Sequence, residues 1–381
     1  MIQQKTRTRD SNFEIMRILS MLFIVIYHVL IHSNAYQNAK DTEQIIIITI
    51  ESIILVHVNS FVLVTGYFQC KSTRRMGKIF SIIGQTWFYK VLIMFILIGI
   101  NFIKMPSNIT ILYTLLPLDN ATYWYINCYL VLYFISPILN TVINKSNKVE
   151  LKNIIITLFI IVSVISTIGK DAYFNTSTGR SLSVFVLLYF IGAYMRLYPP
   201  KDTLVLKKYT QKARRLIYSL GFLLCALMSF FCWLLSEYIT KQNLNEFMKE
   251  IGSISAAMHL SYASPIVLVQ SIMYFLYFGT YQFKNKYVNK IASATLGVYL
   301  IHENIFIREN LYEKIGLTNL ECTTKLILYI LMLSIAIYII CTIIELFRQA
   351  ISSLAAKTKT IKKIKDRIKA YFNDLGVCIN W

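Results

Sequence analysis

Cysteine, acidic charge and soluble sequence are all scarce in this chain. Its seven cysteines in 381 residues (Cys70, Cys128, Cys225, Cys232, Cys322, Cys341, Cys378) show no paired metal-ligand spacing, and most fall within or beside apolar runs. That excludes a zinc or disulfide framework and leaves them as small apolar residues. No polar stretch is long enough to form a separate domain, and the longest segment expected to face outward, around 237–255, is too short to carry its own chemistry. There is no evident internal repeat, and none of the dyad alternation of a membrane barrel. The first apolar run is too long, and lacks the small-residue cleavage site, for a removable signal peptide, so it is expected to be retained. Asp and Glu together number 19 against 39 Lys and Arg, giving a formal net charge of +20.

What is present is apolar sequence in long runs. The chain is 56% hydrophobic with a mean hydropathy of +0.54, and runs of this kind cross about 30 Å of hydrocarbon as helices. Backbone groups unpaired in lipid are costly, so helices are the spanning element. The expected fold is therefore an all-α polytopic membrane protein of about ten spans, at 13–32, 45–68, 79–101, 122–143, 151–169, 181–198, 216–236, 256–279, 288–306 and 324–347. Lys and Arg gather in alternate loops, among them Lys5, Arg7 and Arg9, then Lys71, Arg74, Arg75 and Lys78, then Lys145, Lys148 and Lys152. That bias predicts cytoplasmic N- and C-termini.

The same placement accounts for the basic balance. Cations beside span ends answer to the topology rule and to anionic lipid, and no recognition motif is present, so nucleic acid is not an expected partner. Residues 1–347 read as one membrane-embedded domain. Residues 348–381 form a basic cytoplasmic tail, in which Ile361, Ile364, Ile368 and Tyr371 recur at helical intervals among lysines; such a segment lies on the inner membrane surface. Richness in Ile, Lys and Asn suggests an AT-rich bacterial coding sequence, and the expected location is the cell membrane.

The first span, "NFEIMRILSMLFIVIYHVLIHS", holds three ionisable groups. Arg17 and His28 are separated by about 1100° of helical rotation, roughly 20° from three complete turns, and by a rise of about 16 Å. They share one face at two depths. Glu14, one turn before Arg17, can neutralise it in a low-dielectric setting. His28 falls about 22 Å into a core of about 30 Å, nearer the outer side. An interfacial ion pair that anchors the helix explains Arg17 and Glu14 as well as a functional role does, whereas a histidine that deep needs partners and is by default a functional candidate. His32 and His57 are weaker candidates, one near the outer end and one able to bond a neighbouring helix.

The pattern "FEIMRILSMLFIVIYH" resembles the first helix of the membrane-bound acyltransferase family 3, in which an Arg or Lys is followed after ten residues by a His; Arg17 and His28 match. "FVLVTGYF" at 61–68 resembles the family's Ser-Gly-Phe or Ser-Gly-Tyr segment, with Thr65 in place of Ser. "YWYINCYLVLYFISPIL" at 123–139 is similar to its Trp-containing fourth helix, and "LGVYLIH" at 296–302 to a late Tyr-Leu-Ile-His motif. The resemblance covers nearly the whole chain. It implies transfer of an acyl group, usually acetyl, from cytoplasmic acetyl-CoA to a hydroxyl of an extracytoplasmic glycan such as capsule, exopolysaccharide, cell-wall polymer or a lipid-linked precursor. Acetyl-CoA is the donor substrate, and no bound cofactor or metal is expected.

On this reading His28 is the acid-base centre, since removing a hydroxyl proton needs a base such as neutral imidazole; an acyl-histidine relay is also open. Arg17, with Glu14, orders the inner end of the route or contacts the donor. Lys71, Arg74 and Arg75 are expected to bind the acyl-CoA phosphates, although the family's Arg-x-x-Arg pair is here Lys71-x-x-Arg74 and lysine lacks the bidentate fork. Tyr67, Trp124 and His302 are expected to line the acceptor or donor passage. The reading from another class is a transporter or flippase of a lipid-linked glycan, against which stand the missing inverted repeat and the first-helix spacing. A glycan polymerase would require a large charged outer loop, which the sequence lacks.

Overall fold

The computed structural model describes residues 9–72, 76–116, 123–169, 178–203, 205–242, 244–318 and 320–355. Arg74, Arg75 and the tail from residue 356 lie outside the described residues. Within them the chain is all-α, apart from an isolated bridge between Ala39 and Cys322.

The helices are α1 (Ser11–His32), α2 (Asp41–Ile54), α3 (His57–Gln69), α4 (Met76–Gly99), α5 (Asn108–Leu115), α6 (Trp124–Lys145), α7 (Lys148–Phe159) and α8 (Ser166–Ile168), then α9 (Leu182–Leu197), α10 (Gln211–Gln242), α11 (Glu246–Leu260) and α12 (Pro265–Gly279). They close with α13 (Lys286–Ala292), α14 (Thr295–His302), α15 (Ile305–Arg308), α16 (Leu311–Lys314) and α17 (Thr324–Ala355). A π-helical stretch, Ile160–Ile165, joins α7 to α8.

Eight helices, counting α2–α3, α7–α8 and α11–α12 as continuous, are long and apolar enough to cross a membrane. They coincide with eight of the ten expected spans. The span expected at 181–198 is α9, apolar but only 16 residues, about 24 Å at the helical rise. The span expected at 288–306 is broken into α13, α14 and α15. Apolar composition marks a segment as membrane-embedded, whereas its breaks are set by the partners that satisfy the interrupted backbone.

Those partners are visible. At the α2–α3 break, His57 Nδ1 donates to the Ile54 carbonyl at 2.7 Å, and Gln270 Nε2 donates to the Ser52 carbonyl at 2.8 Å. After α14, the Asn304 side chain accepts from the Phe306 amide and starts α15. The α7 N-terminus is closed by a capping box between Asn147 and Glu150.

One helix organises the bundle. α1 packs against α2, α3, α12, α13, α14 and α17, and buries Phe13, Met16 and Tyr27 in a core with α3, α9 and α12. Met21, Ile24, Val25 and Val29 enter a second core with α4, α6, α14 and α17. α3 and α9 approach most closely, because a Cβ at Gly66 would land on the Tyr189 carbonyl oxygen and one at Gly192 on the Leu63 carbonyl oxygen. Such small-residue contacts are how helices pack where lipid gives no hydrophobic drive. Leu223, Leu227 and Phe231 of α10, with Met332, Ile339 and Ile343 of α17, are exposed, as expected of lipid-facing surface.

Candidate active site

α1 forms one wall of a cavity of about 1200 Å³. Its lining runs from Arg9, Asp10, Lys78, Lys284 and Arg348 at one end, past Glu14, Arg17 and Met21, to His28, His57, Trp124, Arg180 and Tyr262. From Glu14 to His28 the helix rises about 21 Å, so the cavity extends through most of a bilayer core.

At the basic end, Arg17 Nη1 donates to Glu14 Oε2 at 2.7 Å and Nη2 donates to Thr295 Oγ1 at 3.1 Å. The expected pair thus exists, and it ties α1 to the first residue of α14. Arg9 stands 3.8 Å from the other Glu14 oxygen. Lys78 donates to the Tyr129 hydroxyl at 2.6 Å and lies over the Tyr133 ring at 4.8 Å. Glu345, buried and cavity-lining, accepts from Tyr89, Gln349 and the Nε and Nη2 groups of Arg348. This end therefore carries more positive than negative groups.

At the far end, His28 Nδ1 lies 3.0 Å from His302 Nε2 and 3.0 Å from Glu303 Oε2. The proton positions follow from the partners. His302 Nδ1 is 2.6 Å from the Val298 carbonyl, which can only accept, so this nitrogen carries hydrogen. In neutral His302, Nε2 is then an acceptor, and His28 Nδ1 must be the donor. The remaining nitrogen of a neutral His28, Nε2, keeps its lone pair. Glu303 is itself fixed by His32 Nε2 at 3.1 Å and Arg308 Nη1 at 2.9 Å. A base whose tautomer is set by one neighbour, with a carboxylate to stabilise its charged form, is the arrangement acid-base catalysis needs.

His28 Nδ1, His302 Nε2 and a Glu303 oxygen lie within 4.8 Å of one another, a donor set that a metal ion could share. Such an ion would compete with the hydrogen bonds these atoms make within the chain.

The remaining candidates are placed as follows. Trp124, the first residue of α6, lines the His28 end of the cavity and stacks on Tyr262 at 6.2 Å. His302 is buried behind His28 rather than on the cavity wall. Tyr67 packs among Phe13, Phe68 and Phe275, with Arg196 over its ring at 4.8 Å, and is not part of the cavity lining. Lys71 is exposed just beyond α3 and does not itself line the cavity, although Gln69 and Ser72 on either side of it do. Arg74 and Arg75 lie outside the described residues. Sequence reasoning missed Glu303 and Arg308 as partners of His28, and Tyr262 and Arg180 as cavity walls. Only the adjacency of Glu303 to His302 offered a signal.

Residues 10–346 match the family model described as an acyltransferase domain, that of the acyltransferase 3 family. No curated protein and no solved structure matches the chain. The chain belongs to the acyltransferase 3 family and is a membrane acyltransferase.

Proposed function

We propose that this protein transfers an acetyl group from cytoplasmic acetyl-CoA to a hydroxyl of an extracytoplasmic surface glycan at the cell membrane. The observation that carries the reading is His28, its tautomer set by His302 and its charge balanced by Glu303, on the wall of a cavity whose opposite end is basic. Phosphates of the donor are attracted to Arg9, Lys78, Lys284 and Arg348, and the pantetheine arm runs along α1 past Arg17 toward His28. The acceptor enters from the side of Trp124 and Tyr262.

In the transfer step His28 Nε2 takes the proton of the acceptor hydroxyl while the hydroxyl oxygen bonds to the thioester carbonyl carbon. The carbon–sulfur bond then breaks, and the proton on His28 passes to the departing thiolate. The products are an acetyl ester and coenzyme A. Glu303, at 3.0 Å, stabilises the imidazolium formed between the two proton transfers. His302 keeps Nε2 of His28, and not Nδ1, as the basic atom. Lys71, Arg74 and Arg75 fit a role as further phosphate contacts by charge.

The test is the acetyl content of surface polysaccharide, read by NMR, in producing cells with wild type, a deletion, or His28→Ala at matched membrane abundance. Loss of acetyl in both mutants supports the reading and identifies the acceptor. Acetyl retained in the deletion while glycan export fails overturns it in favour of a transporter.

A further inference from the structure

The outer end of the cavity carries a cation that the transfer step leaves unused. Arg180 lines the cavity with His28, His57, Trp124 and Tyr262, and no ion pair among the described residues includes it. Its guanidinium lies 5.6 Å over the Trp124 ring, near the Tyr27 hydroxyl. The side chain is exposed, so its remaining N–H groups are open to a ligand.

The backbone beneath it is built to hold this position. Gly179 has φ +72°, a left-handed conformation, and a Cβ there would land on the Ala263 amide nitrogen. The Tyr262 amide donates to the Thr178 carbonyl at 3.2 Å, Asn59 Nδ2 donates to the Tyr262 carbonyl at 3.0 Å, and the Tyr262 hydroxyl donates to His57 Nε2 at 3.1 Å. The donor direction in the last bond follows because His57 Nδ1 already donates to Ile54. The approach to α9 is thereby clamped onto the residue that stacks on Trp124. A guanidinium held over an indole keeps its in-plane N–H groups available, and those match a carboxylate or phosphate two oxygens at a time.

The cavity thus has two cationic ends with His28 beside the outer one. The inner end is partly neutralised by Glu14 and Glu345; Arg180 has no such partner among the described residues. We propose that Arg180 is an acceptor-binding residue and that the acceptor is an acidic glycan, with a carboxylate or phosphate on or beside the sugar that receives the acyl group. This rests on the reading of the protein as a glycan acetyltransferase.

The experiment uses the full chain in lipid nanodiscs with acetyl-CoA. Three acceptors are compared by mass spectrometry of their acetyl esters: trigalacturonic acid, its methyl ester, which has the same hydroxyls without the charge, and a poly(glycerol phosphate) oligomer. At least one anionic acceptor should be used with kcat/KM about tenfold or more above the methyl ester, and the preferred one tells carboxylate from phosphate. Arg180→Gln should raise KM for that acceptor about tenfold while leaving kcat and transfer to the methyl ester unchanged, and Arg180→Lys should recover part of the loss. Equal use of acid and ester, or an equal loss toward both in Arg180→Gln, overturns the proposal. Release of coenzyme A with no carbohydrate acetylated overturns the glycan reading itself, and this inference with it.

Discussion

His28 is held by two neighbours that do different things, and single substitutions separate them. His28→Ala removes the proposed base without placing a charge in lipid, so acyl transfer should be lost while membrane abundance stays normal; quantitative immunoblotting beside the acetyl assay checks both. Glu303→Gln keeps the shape and removes the charge that steadies the imidazolium. It should lower kcat by about 10²-fold with KM for acetyl-CoA little changed, measured as coenzyme A release. Arg17→Ala should impair activity too, because Thr295 and Glu14 lose a shared donor; Arg9, 3.8 Å from Glu14, limits the cost to stability. At this scale the sequence pointed to half of the candidate cluster. Arg17 and His28 were legible because both ride one helix, where spacing translates into angle. Glu303 and His302 reach His28 across more than 270 positions of chain, a distance over which no local periodicity carries information. Their contact depends on α14 ending where it does.

Close approach between helices decides the strength of the bundle. Gly66 belongs to the "FVLVTGYF" segment, and its lack of a side chain lets α3 lie against the α9 backbone at Tyr189. Gly66→Val should cost roughly 1–3 kcal/mol or more through overpacking, seen as a lowered thermal midpoint of the purified protein. Gly297 holds a second such place, where a Cβ would overlap the buried Glu345 carboxylate. Gly297→Ala should displace Glu345 from Arg348 and Tyr89, and so weaken donor binding more than turnover; a rise in KM for acetyl-CoA larger than any fall in kcat is the expected readout. Spans such as α4 and α17 were legible from length and hydropathy alone. The interruptions at 55–56 and 293–294 were not, because the groups that satisfy them, His57 and Gln270 in the first case, are polar residues in otherwise apolar runs. A polar residue of that kind reads equally well as a helix contact.

Across the whole molecule, one cavity joins a basic end to the His28 cluster. Raising ionic strength should increase KM for acetyl-CoA, since Lys78 and Lys284 act at the basic end, where salt screens them, while kcat, governed by the buried His28 cluster, should change less. Initial-rate assays between low and physiological salt measure this. The cavity also bears on what becomes of the products. The proposed donor and acceptor approach His28 from opposite ends of a space at least about 21 Å long, so the thiol withdraws to one side of the membrane and the ester to the other. Added coenzyme A should therefore inhibit competitively against acetyl-CoA, and not against the glycan. The two products also part into separate compartments, where dilution and cytoplasmic recharging of the thiol pull them away from each other. In the proposed reaction this separation adds to the downhill step from thioester to ester and makes the transfer a one-way export of acetyl groups.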